Sequence, residues 1–274
     1  MVLSYCCICG NKQKFKEFLK YSNEKIFKNY EGLSLYKSTK CGVLKTFSSN
    51  KNKLNPEQSR IDLFENKQQN YQRQFEFLVS KLQQFKKSGS ILDVGCSSGI
   101  LLSLLNKYGY SVYGIEPNYY AYLKAKQRLG NKVFHGKLED FIKKNKLKFD
   151  FIIYNHVLEH TYNPRNEIKK ALMILKKKGL IVLGLPNTSN TIFFLRRKYW
   201  ESLMPGEHIW HFSNKQIGKL LSDFNLKTDA IYYSNHDRRD YPFIKRIYFK
   251  FLIILSKFTG SGEAILILAS KKNK

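Results

Sequence analysis

Ile91-Leu92-Asp93-Val94-Gly95-Cys96-Ser97-Ser98-Gly99, followed by Ser111-Val112-Tyr113-Gly114-Ile115-Glu116, decides the reading of this chain. Ile91, Leu92 and Val94 make a short apolar run suited to a central parallel strand. Gly95 and Gly99 bracket a tight turn, where a missing Cβ lets backbone approach a ligand. Ile100-Leu101-Leu102-Ser103-Leu104-Leu105 then starts a helix whose free N–H groups face that turn. Glu116 ends a second strand on the same sheet edge, placed to accept hydrogen bonds from ribose hydroxyls. This is the front half of a nucleotide-cofactor site. Two other readings share the residues. A nicotinamide site wants G-x-G-x-x-G, and the glycines do not fit that spacing. Gly95 to Gly99 also matches the G-x-S-x-G elbow of hydrolases, with Ser97 as nucleophile. No oxyanion-type H-G-G-G segment lies upstream, and Glu116 would then have no task.

Around this stretch strands and helices alternate. Apolar runs predict strands at 90–95, 111–116, 132–135, 149–154, 180–185 and 228–233. Helical spacing predicts helices at Ile100–Tyr108, Tyr119–Leu129, Leu138–Lys144, Asn166–Leu175 and Asn214–Phe224. Alternation of this kind gives an α/β fold, a mostly parallel sheet with helices on both faces. A last strand, Ala264–Ala269, follows Gly260-Ser261-Gly262 and can enter antiparallel. The expected division is 1–47 as a cysteine-bearing segment, 48–88 as a polar linker and amphipathic helix, and 89–274 as the main domain. That domain includes an aromatic insertion at 188–213 and an apolar-basic helix at 242–258.

The chain has 274 residues and a formal charge of +27, which permits a nucleic-acid partner or an anionic membrane surface. Most of the cations are lysine, however, and arginine is the residue that reads bases and grips phosphate bidentately. The charge alone therefore gives RNA no preference over a solvated basic surface. Met1–Cys6 lacks a basic start and a long apolar core, so no secretory signal is read. Five cysteines, with Cys6, Cys7 and Cys9 together, suggest a metal motif in a reducing, cytoplasmic setting.

Four motifs in order now carry a resemblance. ILDVGCSSG resembles the D-x-G-C-G-x-G turn of the class I S-adenosylmethionine (SAM)-dependent methyltransferases. SVYGIEPN resembles that family's second-strand acid, FDFIIYNHVLEHTYNP its fourth strand with the L-E-H-x-x-x-P tail, and LIVLGLPN its fifth strand. The chain is most similar to the ubiquinone-type O-methyltransferases and to the sugar and polysaccharide methyltransferases. The resemblance implies a Rossmann-like seven-stranded sheet whose last strand is antiparallel, with SAM as cofactor. It implies that Asp93, Gly95, Cys96, Ser97 and Gly99 shape the pocket for the methionine end of SAM. Glu116 would hold the ribose, while Pro117, Leu138 and Glu139 would lie at the adenine, and Asn155 and His156 beside the methyl group. Ser97 stands where the family has glycine. Serine is small, and the pocket is expected to survive it.

The same resemblance implies an acceptor that is a small molecule or a sugar-linked precursor, probed by a histidine base. Gly206-Glu207-His208-Ile209-Trp210-His211-Phe212-Ser213 resembles the E-H-x-x-x-F-S stretch of the sugar methyltransferases, in some of which the Glu-His pair serves catalysis. Glu207 and His208 are the catalytic candidates, with His156 positioning the acceptor. A tyrosine found just before that pair in those members is here Pro205. His160 and His211 are read as caps or packing residues. Arg196 and Arg197 of the insertion are candidates to meet an acceptor phosphate. Cys6-Cys7-Ile8-Cys9-Gly10 resembles the first half of a zinc ribbon, and Lys40-Cys41-Gly42 part of the second. Cys6, Cys9 and Cys41 are thus zinc candidates, with Ser38 in the fourth ligand's place. Helix 242–258 is a candidate for peripheral contact with an anionic membrane.

Overall fold

The computed structural model describes residues 1–21, 29–49, 68–236, 238–239, 241–258 and 261–272. The polar part of the expected linker, 50–67, lies outside them. Twelve strands are described: β1 (Val2–Tyr5), β2 (Lys12–Lys20), β3 (Leu33–Ser38), β4 (Leu44–Ser48), β5 (Ser90–Val94), β6 (Ser111–Glu116), β7 (Val133–His135), β8 (Phe149–Asn155), β9 (Leu175–Pro186), β10 (Trp210–His211), β11 (Leu226–Ser234) and β12 (Ala264–Lys271). The α-helices are α1 (Gln68–Phe85), α2 (Ile100–Lys107), α3 (Tyr119–Leu129), α4 (Leu138–Lys144), α5 (Pro164–Ile174), α6 (Thr191–Arg196), α7 (Asn214–Ser222) and α8 (Phe243–Phe258).

Seven strands form the main sheet in the order β11-β12-β9-β8-β5-β6-β7. β5 pairs in parallel with β6 and β8, β6 with β7, and β8 with β9. β12 runs antiparallel to both β9 and β11. The expected sheet and its one reversed strand are therefore present. Alternation along each strand explains the two covered faces. Leu92, Ile152, Ile181, Leu183, Ile265 and Ile267 share a core with α4, α5 and α7. Their neighbours Ile91, Phe151, Ile153, Val182, Leu266 and Leu268 share one with α1, α2 and α3. A strand buried on both sides must be apolar at every position, which is why these runs show no polar alternation.

A second, antiparallel sheet has the order β1-β2-β3-β4-β10. Its last strand comes from the 188–213 insertion: Trp210 pairs with Lys45 and His211 with Leu44. Cys6, Cys7, Ile8, Phe15 and Val43 of the N-terminal strands and their loops pack into the same core as Leu92, Tyr154 and Ile217. The N-terminal segment is thus joined to the main sheet by a strand and by shared apolar burial. Among the described residues no helix is long and apolar enough to cross a membrane.

Candidate active site

The turn after β5 is held from beneath by β6. The Gly95 and Cys96 N–H groups donate to the Ile115 carbonyl at 2.8 and 3.0 Å. Gly95 sits at φ +76, and a Cβ there would stand 2.7 Å from Val157 Cγ2, so this position admits glycine alone. Ser97 is also left-handed, at φ +49. That explains the glycine of related turns: serine reaches this conformation only with strain on the order of 1 kcal/mol. The cost is met by a hydrogen bond, since Ser97 N–H donates to Glu116 Oε2 at 2.8 Å. Arg128 braces the next residue, donating to the Ser98 carbonyl at 2.8 Å. Replacing Ser97 with glycine is expected to release the strain and raise Tm by about 2–4 °C in a thermal melt. Among the described residues no histidine is hydrogen-bonded to Ser97, so the hydrolase arrangement is not assembled.

Glu116 is buried, and its second oxygen accepts from Asn118 N–H at 2.8 Å. Two backbone donors fix the carboxylate plane and leave further lone pairs for a ligand. Burial raises its pKa, and the Asn118 and Ser97 hydrogen bonds oppose that rise. Asp93 stands nearby, 3% exposed, with no donor or cation on it among the described residues. Burial first, and then the charge of Glu116, pushes its pKa up to about 8. Two carboxylates converge here beside a helix start, Gly99 of α2, that has no side-chain cap. A pocket with this charge pattern fits a ligand that carries a cationic group, a carboxylate and a diol, as SAM does.

The sign of the Asp93 effect follows from its raised pKa. The carboxyl favours folding fully below its ordinary value of 3.8, and the benefit fades as pH rises toward about 8. A cation bound beside it favours the carboxylate, so SAM binding at neutral pH is expected to release a proton. Calorimetry in buffers of different ionisation enthalpy reads this directly. Proton uptake, or affinity that falls between pH 6 and 8, would contradict it.

The other candidates divide. Pro117 is exposed at the end of β6, and its carbonyl lies 3.2 Å from His135 Nε2. His135 pairs in register with Glu116 and stacks on Tyr122, a site neighbour that motif reading missed. Cys96 is buried, with its sulfur turned toward Gly114 in the core. Leu138 is buried as well, while Glu139 is exposed and pairs with Lys170 at 3.5 Å.

Asn155 and His156 leave the end of β8 and line a cavity of about 370 Å³. Its walls include Phe77 and Leu78 of α1 and Ile265 and Leu266 of β12, and its polar rim includes Asn235 and His236. Gly184 matters here, because any Cβ would strike the Asn155 side-chain oxygen. His156 is left-handed at φ +55, and its Nδ1 lies 3.3 Å from Glu159 Oε1. Glu159 is 1% exposed, and neither oxygen has a hydrogen bond among the described residues. A buried carboxylate 3.3 Å from an imidazole favours the protonated ring by charge. Glu159 lies in the L-E-H motif, but its place behind His156 depends on a turn that the sequence does not display. His236, also missed, packs its Nε2 2.6 Å from Ser202 Oγ.

His208 takes a different place. It is buried, its ring edge-on to His160 at 4.7 Å between centroids, and it is not part of the cavity wall. Ligand atoms of Glu159, His160 and His208 lie within 4.8 Å of one another, a donor set that could hold a divalent ion. Glu207 is half-buried beside it. His211 is buried with Nε2 2.9 Å from Thr46 Oγ1, and burial with the charge of His160 lowers its pKa to about 3. It is a packing residue. Arg196 and Arg197 stack on Phe249 and Phe194 and do not line the Asn155–His156 cavity.

The cysteines form a separate cluster. Sulfur atoms of Cys6, Cys9 and Cys41 lie within 4.8 Å of one another, and Cys6 and Cys41 are 3.4 Å apart. Ser38 Oγ is 3.4 Å from Cys41 Sγ, in the expected fourth position. Cys7 is buried outside the cluster. Hydrogen bonding to Cys6 lowers the Cys41 thiol, and the same contact raises Cys6. The three thiols are a partial donor set, because structural zinc takes four ligands from Cys, His, Asp or Glu and Ser38 stands in the fourth place; about one zinc per chain in reducing buffer would establish the site. A value far below one would reject the site.

A methyltransferase-domain family model matches residues 62–231, more than half of the chain. The chain belongs to the methyltransferase-domain family. Its seven-stranded sheet with one reversed strand is the one the resemblance to class I SAM-dependent methyltransferases implies. The chain is 32% identical over 114 residues to the ubiquinone biosynthesis O-methyltransferase of Glaesserella parasuis serovar 5 (strain SH0165), covering 38% of this chain and 48% of that one. It is 26% identical over 156 residues to the mitochondrial ubiquinone biosynthesis O-methyltransferase of Rattus norvegicus, covering 52% and 45%. The methyltransferase chain thus spans about half the length of these curated relatives. Among solved structures it shares the fold of the plantazolicin methyltransferase BpumL in complex with SAH (TM-score 0.54, 17% identity, 77% of this chain and 88% of that one). It also shares that of magnesium protoporphyrin IX methyltransferase from Synechocystis PCC 6803 with bound SAH (TM-score 0.52, 17% identity, 74% and 84%).

Proposed function

We propose that this methyltransferase methylates a hydroxyl of a small-molecule acceptor held in the cavity beside Asn155 and His156. The observation that carries the reading is the His156–Glu159 pair: an imidazole on the cavity wall, 3.3 Å from a carboxylate buried behind it. SAM, when bound at Asp93 and Glu116, supplies a methyl group already activated by its sulfonium. The chain's own work is then alignment and proton removal. Asn155 and the apolar walls orient the acceptor, which brings the reacting atoms to about 3–3.5 Å. His156 takes the hydroxyl proton on the ring nitrogen that Glu159 does not face, and the Glu159 charge steadies the resulting imidazolium.

Phe77, Leu78, Ile265 and Leu266 favour an acceptor with an apolar body over a bare sugar. The names of the curated relatives support oxygen as the methylated atom. The experiment is transfer of label from SAM to cell-extract fractions, with the product identified by mass. His156→Ala is expected to cut turnover by about 100-fold or more while SAM affinity holds. His208→Ala run beside it separates the two histidines. Unchanged turnover in His156→Ala with loss in His208→Ala would move the base to His208.

A further inference from the structure

Among the described residues, the face of α8 turned away from the protein is an apolar feature that the proposed reaction leaves unused. Ile244, Ile247, Tyr248, Phe251 and Ile254 recur at helical spacing, and all are exposed, Ile244 at 82% and Phe251 at 59%. The inward face is no more apolar than this one: Phe249 and Leu252 are buried there, with Ser256. α6 packs beside α8 and extends the surface with exposed Phe194 and Leu195. Between the two helices runs an open groove of about 420 Å³ lined by Leu195, Arg196, Tyr199, Lys245, Tyr248 and Phe249. A contiguous apolar surface of this kind normally has an occupant.

Charge selects the occupant. α8 contains no Asp or Glu, and Lys245, Arg246 and Lys250 stand exposed at the borders of the apolar stripe. On a helical wheel Arg246 and Lys250 fall on one side of the stripe and Lys245 on the other. A second copy seated on this face would bring like charges together on a chain whose formal charge is +27. An apolar stripe bordered by cations instead matches a surface with acyl chains inside and negative headgroups outside. We propose that α8, with α6 beside it, docks this protein on an anionic phospholipid surface, lying in the interface without crossing it. The stripe enters the acyl boundary, and the lysines and arginines meet headgroup phosphates. This surface is separate from the Asp93–Glu116 pocket and stands whether or not the assignment of His156 holds.

The test is co-sedimentation of the full chain with vesicles of phosphatidylcholine alone and of phosphatidylcholine mixed with phosphatidylglycerol. Binding to the mixed vesicles, weakened by salt, with little binding to the neutral ones, is the expected result. Ile244→Asp combined with Phe251→Asp is expected to reduce binding by about tenfold or more. Both side chains are exposed, so the fold and SAM affinity should be unchanged, which calorimetry on the same variant verifies. Arg246→Glu with Lys250→Glu should weaken binding to the anionic vesicles alone. No binding to mixed vesicles at low salt, or equal binding by the aspartate variant, overturns the proposal. Self-association that the aspartate variant abolishes, without vesicle binding, assigns the face to a second copy and also overturns it.

Discussion

Replacing Glu116 with alanine is expected to weaken SAM binding by about 100-fold or more, measured by calorimetry on the purified chain. A hydrogen bond to a charged group contributes about 1.5–3 kcal/mol, and this carboxylate is placed to make two to a ribose diol. A factor of ten in affinity corresponds to about 1.4 kcal/mol, so one such bond already accounts for tenfold or more. The substitution does more than remove acceptors. Glu116 also fixes the turn, because Ser97 N–H and Asn118 N–H both donate to it at 2.8 Å. Without it the left-handed Ser97 loses the contact that offsets its strain. Glu116→Gln separates the two effects. It keeps the size and one acceptor oxygen, so it should hold the fold and still lose much of the affinity. Near-normal affinity in both variants would show that the ribose is held elsewhere.

Glu263→Ala is expected to destabilise the protein by about 3–5 kcal/mol, a fall in Tm on the order of 10 °C. Glu263 is fully buried at the start of β12 and grips Arg238 through two hydrogen bonds of 2.6 Å. It also accepts from Trp200 Nε1 at 2.9 Å, so it ties the insertion to the sheet. Burial alone would raise its pKa, but the Arg238 hydrogen bonds, with His236 and Trp200, bring it below the usual glutamate value. The stabilisation is accordingly present above the ordinary pKa near 4.5 and is lost as pH falls through the depressed value. Alanine leaves a buried guanidinium without its partner, which is the costly case. Glu263→Leu with Arg238→Met removes both charges and should recover part of the loss in the same melt, since Trp200 Nε1 still lacks its acceptor. A single variant that melts like the parent would show the pair to be solvated in solution.

Much of the main sheet was readable because its signals are local. Apolar runs at β5, β6, β8 and β9, the Gly95–Gly99 turn and the acid closing β6 each declare themselves within a few residues. The second sheet was not readable to the same degree. β2 reads KQKFKEFLK, a charged strand with few apolar side chains, and β10 has two residues whose partner strand β4 lies far back in the chain. Such pairing leaves no trace at short range.

The site divides in the same way. Asp93, Glu116, Asn155 and His156 sit at strand ends, where spacing alone fixes their edge of the sheet. The backing of His156 by Glu159 depends on how the segment after β8 turns, with His156 at φ +55, and sequence does not display that turn. In sequence His208 reads as the catalytic histidine, with His156 positioning the acceptor. In space His208 lies against His160, with Thr46 Oγ1 donating to its backbone carbonyl at 2.8 Å. In sequence Ser97 is a small replacement for glycine. Its size is the minor matter: the position is left-handed, and glycine is favoured there for conformation.

The measurement that bears most directly on the whole account is calorimetric titration of the purified chain with SAM, in two buffers at neutral pH. One site per chain is expected, with release of a proton from Asp93 and affinity about 100-fold or more lower in Glu116→Ala. Absence of binding by the parent chain, or binding that Glu116→Ala leaves intact, would contradict the account.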